Sequence, residues 1–417
     1  MKRLFLSITM LFLFWVGFSY INIPEEPAPE EEVFLFTPPP AIDEDFAAFT
    51  EEYVSYFKSV MAETNTPGAA VVIIKDDLIY FMEGLGVKKA KTDDLIDVNT
   101  VFRIGSLSKG LTASLTGILV DKGILSWEDK LNDHLPTFQL KDPAQTQRVN
   151  FKHVLSHTTG LPYHAYTDMV ERGWGLDYIN KQFKVVDLIA KEGEIYAYQN
   201  AVFSLIGEAM EETTGHDVSS LLNLELFQPL GMSNASTSYE DLIASNNFSY
   251  PHSGGGQYWG KRKISKKYFN AIPAGGINAS ISDMASYLQL LLGNRPELLS
   301  ETSLNQMFEP LVNTRNKRKY FRRWPFVEEA YYGLGHRVVT TKDDILIYHG
   351  GYVNGYKSEL SLNRKDKVAI CVLTNAPSTL SGISIPAFWE RYKAMKKRKR
   401  NKEVQQEFLL PMVEKDL

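Results

Sequence analysis

A serine stands three residues before a lysine in the run Phe102-Arg103-Ile104-Gly105-Ser106-Leu107-Ser108-Lys109. At i and i+3 of a helix two side chains share a face, which sets the Lys109 amine beside the Ser106 hydroxyl. A serine needs an adjacent base to become a nucleophile, and a lysine with a pKa depressed by burial can supply or sustain one. Where such a serine opens a helix, free backbone N–H groups and the positive dipole end suit it to oxyanion stabilisation. The spacing alone is cheap. Ser55-Tyr56-Phe57-Lys58 repeats it, but inside an amphipathic helical pattern and without a preceding glycine turn. Context therefore selects Ser106.

Two further segments carry chemistry. Tyr198-Gln199-Asn200 sits just before a helical pattern. A tyrosinate is a usable base when a neighbouring lysine cation lowers its pKa, and an asparagine offers both donor and acceptor to an amide. The same spacing recurs at Tyr178-Ile179-Asn180 and Tyr352-Val353-Asn354. His349-Gly350-Gly351 ends an apolar strand pattern, where glycines permit close approach and a strand edge can bind substrate as an added strand. His252-Ser253-Gly254 shares that spacing within a glycine-rich loop. His153 and His157 are four apart but bring no carboxylate or third ligand, so no metal or other cofactor is expected. Cys371, within an apolar strand pattern, is expected to be a small core residue.

The elements that position these groups follow from periodicity. Asp43 is a candidate N-cap for a helix with Phe46, Phe49, Tyr53, Tyr56 and Phe57 at helical spacing. Ala69–Ile74 and Leu78–Met82 form a hairpin pattern, and from Ser106 to about Gly293 the period is helical. Strand patterns return at Ile345–Tyr348, Tyr356–Leu362 and Val368–Leu373, before a closing helix near Ile385–Tyr392. This order predicts an α+β fold: an antiparallel sheet flanked by helices, built from both chain ends, with an inserted mostly helical subdomain. The sheet part is expected at about 43–105 and 325–392, the helical part at about 106–324, and the site in the cleft between them.

Composition narrows the classes. The chain has 417 residues, 44% hydrophobic and 12% aromatic, enough for a large core and against wholesale disorder. A net charge of -5 argues against a nucleic-acid binder, and a single cysteine against a disulfide framework. Lys2 and Arg3 precede an apolar run from Leu4 to Phe18, extended by Ile21 and Ile23. Residues 1–23 thus have the grammar of export, as a cleaved signal or a retained membrane anchor, and the protein is expected to be periplasmic or secreted. No cysteine follows to carry a lipoprotein anchor. Residues 24–42, rich in proline and glutamate, form a semi-rigid tether. Residues 393–417 form a basic tail, either a solvated end or an electrostatic contact with anionic lipid.

Taken together and in order, these segments resemble the serine β-lactamase-related family, which includes class C β-lactamases, D-alanyl-D-alanine carboxypeptidases and related esterases. The likeness runs from about Thr66 to Asn375 and extends to His153–Pro162 (HVLSHTTGLP), Pro229-Leu230-Gly231-Met232 and Ala274-Gly275-Gly276-Ile277. It implies acyl transfer: Ser106 as nucleophile, Lys109 and Tyr198 sharing proton transfer, and Asn200 orienting the substrate. The backbone N–H groups of Ser106 and Tyr352 would hold the oxyanion, with His349, Gly350 and Gly351 as the third motif. Class C enzymes carry Lys-Thr-Gly at that third motif, so here a titrating histidine replaces a fixed cation. His349–Tyr356 (HGGYVNGY) resembles the carboxypeptidase branch instead, and Arg337 falls where those enzymes bind a carboxylate. The implied substrate is a D-alanyl-D-alanine-type peptide, with penicillin reactivity. A carboxylesterase, a weak β-lactamase, or a penicillin-binding protein with little turnover are the alternatives.

Overall fold

The computed structural model describes residues 42–413, apart from 257 and 316, so the expected leader and nearly all of the tether lie outside the described residues. Within them, Gly68–Lys75 (β1) is a continuous apolar run because both its faces are covered. Ala70, Val72 and Ile74 join the core under the helical subdomain, while Ala69, Val71 and Ile73 join the core on the opposite face. Leu78–Gly86 (β2) returns as the expected hairpin partner.

The sheet is completed by later strands. After the two-residue Phe102–Arg103 (β3), His252–Gly255 (β4), Tyr258–Lys261 (β5) and Asn278–Ala279 (β6) lie outside it. Val312–Asn313 (β7), Val327–Tyr332 (β8), Arg337–Thr341 (β9), Ile345–Val353 (β10), Tyr356–Asn363 (β11) and Val368–Thr374 (β12) belong to it. The order is β2-β1-β12-β11-β10-β9-β8-β7, antiparallel throughout, so strands from the two ends of the fold meet where β1 pairs with β12.

Glu44–Glu63 (α1) begins where expected, with the Asp43 side chain accepting from Phe46 N–H at 3.0 Å. It packs on Leu380–Val413, the closing helix, through edge-on rings such as Phe49 on Phe388. The other face of the sheet carries the helical subdomain. Its central helix, Ser108–Asp121 (α2), is buried almost end to end, which explains why its apolar pattern is nearly continuous.

Two expectations change. The sheet has three more strands than the periodicity indicated, and β7 falls inside the range 106–324 assigned to the helical part. β7 is too short for a pattern to emerge, and β8 alternates poorly, with Glu328 and Glu329 adjacent and exposed. The boundary at 392 also disappears: the closing helix continues to Val413 through the basic run. Lys393, Lys396, Lys399 and Lys402 pair with Asp343, Asp366, Asp43 and Asp45, so this segment lies along the body of the fold. No helix among the described residues is long and apolar enough to cross a membrane.

Candidate active site

Ser106 is delivered by a tight turn. Gly105 has φ +52°, and the 3-10 turn Gly105–Leu107 leads directly into α2. A Cβ on Gly105 would lie 3.0 Å from Tyr352 N, and one on Gly351 would lie 2.2 Å from Ile104 O. Two glycines thus let β10 press against the turn, and Ser358 Oγ–H donates to Ile104 O at 2.5 Å to hold it there. The β10–β11 hairpin closes through Asn354 and Gly355, both with positive φ, with Val353 opposite Tyr356. In that register Tyr352 is a non-hydrogen-bonded position, so its N–H points away from β11. The Ser106 N–H opens a helical turn and also lacks an intrahelical acceptor. The two donors are neighbours: the site of a Gly351 Cβ is 3.0 Å from Ser106 N.

The side chains converge from three elements. Tyr198 Oη–H lies 2.9 Å from Ser106 Oγ, and Lys109 Nζ lies 3.5 Å from it. Lys109 also donates to Asn200 Oδ1 at 2.8 Å and Ala274 O at 2.7 Å. Those two bonds use both N–H groups of a neutral amine and leave its lone pair for the Ser106 side. Burial, reinforced by the positive charge of Arg337, holds the Lys109 pKa well below its usual value. Burial pushes the Tyr198 phenol well above its own. Both shifts favour a neutral amine beside a neutral phenol over an ammonium–tyrosinate pair of the same net charge. Lys109 is thus equipped to take the serine proton, and Tyr198 to give one. Asn200 Nδ2 donates to Tyr268 Oη at 3.2 Å, which lies 3.3 Å from Glu171 Oε1.

A cavity of about 490 Å³ opens over Ser106, Tyr198, Asn200, Arg337, Gly351 and Tyr352. β9 pairs with β10 only as far as Tyr348, so beyond it the outer edge of β10 is free to take an extended ligand. Arg337 is 5% exposed, and its Nε and Nη1 have no hydrogen-bond partner. Its guanidinium lies over the Tyr320 ring at 4.0 Å.

His349 is placed differently from the other third-motif residues. It shares the face of Gly351 but lies two residues deeper, with Nε2 2.9 Å from Tyr332 Oη and Nδ1 3.0 Å from Gly350 O. Its ring does not line the cavity. Burial, then the positive charge of Arg337, holds its pKa well below the usual value, so it is neutral near pH 7. The fixed cation beside the third motif is Arg337, not His349. The paired histidines also separate: His153 caps the helix Phe151–Leu155, while His157 packs on the Tyr198 ring at 4.3 Å.

The family model described as Beta-lactamase matches residues 54–384. The chain belongs to the Beta-lactamase family. Its curated relatives include Protein flp of Staphylococcus aureus (strain N315), 23% identical over 75% of this chain and 60% of that protein. Another is the unguisins hydrolase ungD' of Aspergillus campestris, 23% identical over 82% of this chain and 62% of that one. The chain thus spans about 60% of the length of these relatives. Among solved structures, an octameric penicillin-binding protein homologue from Pyrococcus abyssi superposes with a TM-score of 0.67 at 22% identity, covering 79% of this chain and 74% of that one. EstCE1, a hydrolase with promiscuous acyltransferase activity, gives 0.68 at 17% identity over 83% and 99%. These likenesses match the fold seen here, and the family is one of serine hydrolases.

Three contributors to the site carry no sequence signal of their own. Ala274 acts through a carbonyl, and Tyr268 and Glu171 come from stretches where spacing relates them to nothing. Ala274 lies in a segment already singled out, Ala274–Ile277, but nothing in that pattern says a carbonyl would face Lys109.

Proposed function

We propose that this Beta-lactamase-family hydrolase forms an acyl-enzyme on Ser106 with D-alanyl-D-alanine-type peptides or related cell-wall material, and that penicillins acylate the same residue. Lys109 takes the Ser106 proton as Oγ adds to the substrate carbonyl. The resulting oxyanion faces the N–H groups of Ser106 and Tyr352. Collapse breaks the amide or ester bond, and the leaving group takes the Tyr198 proton, which Lys109 restores. Water then attacks the acyl-enzyme ester, its proton passing to the same pair; the bond from the acyl carbon to Ser106 Oγ breaks, Oγ takes that proton back, and the acid product leaves. One observation supports the substrate class: the buried Arg337 guanidinium has two nitrogens without a partner beside the cavity, a need that a substrate carboxylate would meet. The apolar run behind Lys2 and Arg3 supports export to where cell-wall material lies.

The test is a kcat/KM panel with a D-Ala-D-Ala peptide, a neutral nitrophenyl ester and a chromogenic cephalosporin. Peptide or ester turnover should exceed that of the cephalosporin, and Arg337→Met should cut the peptide value by roughly tenfold or more while sparing the neutral ester. Cephalosporin hydrolysis near ~10⁸ M⁻¹s⁻¹ with negligible peptide and ester turnover would make the chain a true β-lactamase. Ester turnover alone, indifferent to Arg337, would make it a carboxylesterase.

A further inference from the structure

Behind the catalytic cavity lies a second one of about 260 Å³, and Tyr320, Tyr348 and Lys357 line both. Its remaining walls bring Lys319, Arg322 and Arg323 from the segment before β8, and Gly382 from the start of the closing helix. Among the described residues none of these four cations, Lys357 included, makes an ion pair. The Arg323 guanidinium reaches in over Gly382, where a Cβ would lie 2.4 Å from its Nη1. The floor is Glu359, 5% exposed. Its Oε1 accepts from Tyr348 Oη–H at 2.6 Å, and its Oε2 is buried with no partner.

This arrangement is unusual for a structural ion cluster. A carboxylate among four cations gains most by closing on one of them, yet none comes within ion-pair distance of Glu359. Burial instead pushes its pKa up to about 7, despite the nearby charges of Lys357 and Arg323. Protonation of Glu359 removes the negative charge that would repel an anion over the cavity, and its Oε2 has no partner in the fold. Lys319, Arg322 and Arg323 are exposed and Lys357 is half-buried, so two guanidiniums and two ammoniums rim the cavity above Glu359, a donor set suited to a tetrahedral oxyanion.

We propose that this cavity binds a phosphate-class oxyanion. Because Tyr320, Tyr348 and Lys357 form walls of both cavities, the anion belongs on the part of the substrate that lies beyond Arg337. That placement rests on the serine-hydrolase reading above, whereas binding of the anion itself does not.

The experiment separates the two. Inorganic phosphate is titrated calorimetrically into the full chain, into the Ser106→Ala variant, and into Arg322→Gln/Arg323→Gln and Glu359→Gln. Ser106→Ala should bind phosphate as the wild type does. The double arginine variant should lose at least ~10-fold in affinity, with unchanged thermal unfolding and unchanged turnover of a neutral ester. Glu359→Gln, which keeps a donor and removes the competing negative charge, should bind at least as tightly. A second arm compares that neutral ester with one carrying a terminal phosphate. A kcat/KM preference of ~10-fold or more that vanishes in the double variant assigns the anion to the substrate. Phosphate binding without that preference assigns the cavity to free phosphate. Equal phosphate affinity in wild type and double variant, or no saturable binding in either, overturns the proposal even if Ser106 chemistry stands.

Discussion

Two buried regions meet at Ser106, and they differ in how their polar atoms are satisfied. On the helical side Lys109 donates to Asn200 and Ala274, and Asn200 to Tyr268. On the strand side Arg337 Nε and Nη1 and Glu359 Oε2 are buried and unpartnered. A buried polar atom without a partner costs about 1–3 kcal/mol, so Arg337 and Glu359 hold strain that a ligand can relieve, whereas Lys109 and Asn200 have their partners within the fold and the unpartnered atoms near them, His157 Nε2 and Tyr196 Oη, lie behind Tyr198. The contrast teaches a division of labour. Under the proposed chemistry, the proton-transfer pair is held by its own bonds, and recognition is left to groups still open to a partner.

The sharpest break of that contrast is kinetic. Lys109→Met and Tyr198→Phe should each slow acylation by a fluorophosphonate at least ~100-fold, the usual scale for a lost general acid or base. Wild-type acylation in both variants would remove the helical side from the chemistry.

A second experiment asks for opposite signs of stability. Lys109→Met strands Asn200 Oδ1 and Ala274 O, and should lower stability by about 1–3 kcal/mol in urea unfolding. Arg337→Met removes a buried, unpaired cation and should leave stability unchanged or higher, since the lost ring contact is worth only about 1 kcal/mol. Equal losses in the two would erase the distinction between the regions.

A third experiment concerns the neutral histidines behind the site. His336 is held by burial at about 4, against an ordinary value of 6.5. The unfolded chain therefore binds more protons than the folded one between those values, and stability present above pH 6.5 is lost as pH falls toward 4. The slope is about 1.4 kcal/mol per pH unit for this residue alone. His349 and His157 shift in the same direction. His336→Gln should flatten the slope, and neutral-ester turnover should carry no histidine titration between pH 6.5 and 8. A step in turnover across that range that His349→Gln abolishes would show that His349 charges after all.

These contrasts also mark what the amino-acid sequence discloses. Ser106 and Lys109 were legible because one helical turn joins them, and Asp43, β1 and β2 because capping and apolar runs are local signals. The fold class followed from the order of such runs. The orientation of His349 follows from strand alternation, but its depth is set by β9 and by Tyr332, which only the folded sheet brings near. The basic run from Arg391 looked like a tail because its acidic partners, Asp43, Asp45 and Asp366 among them, are far away in sequence. The open groups of the strand side were least legible of all, since an unpartnered atom is defined by what surrounds it.

The central claim is that Ser106 is the one residue acylated. Intact-mass analysis after treatment with a penicillin or a fluorophosphonate should show a single covalent adduct, mapped by peptide sequencing to Ser106 and absent from Ser106→Ala. An adduct on another residue, or undiminished labelling of Ser106→Ala, would contradict the account.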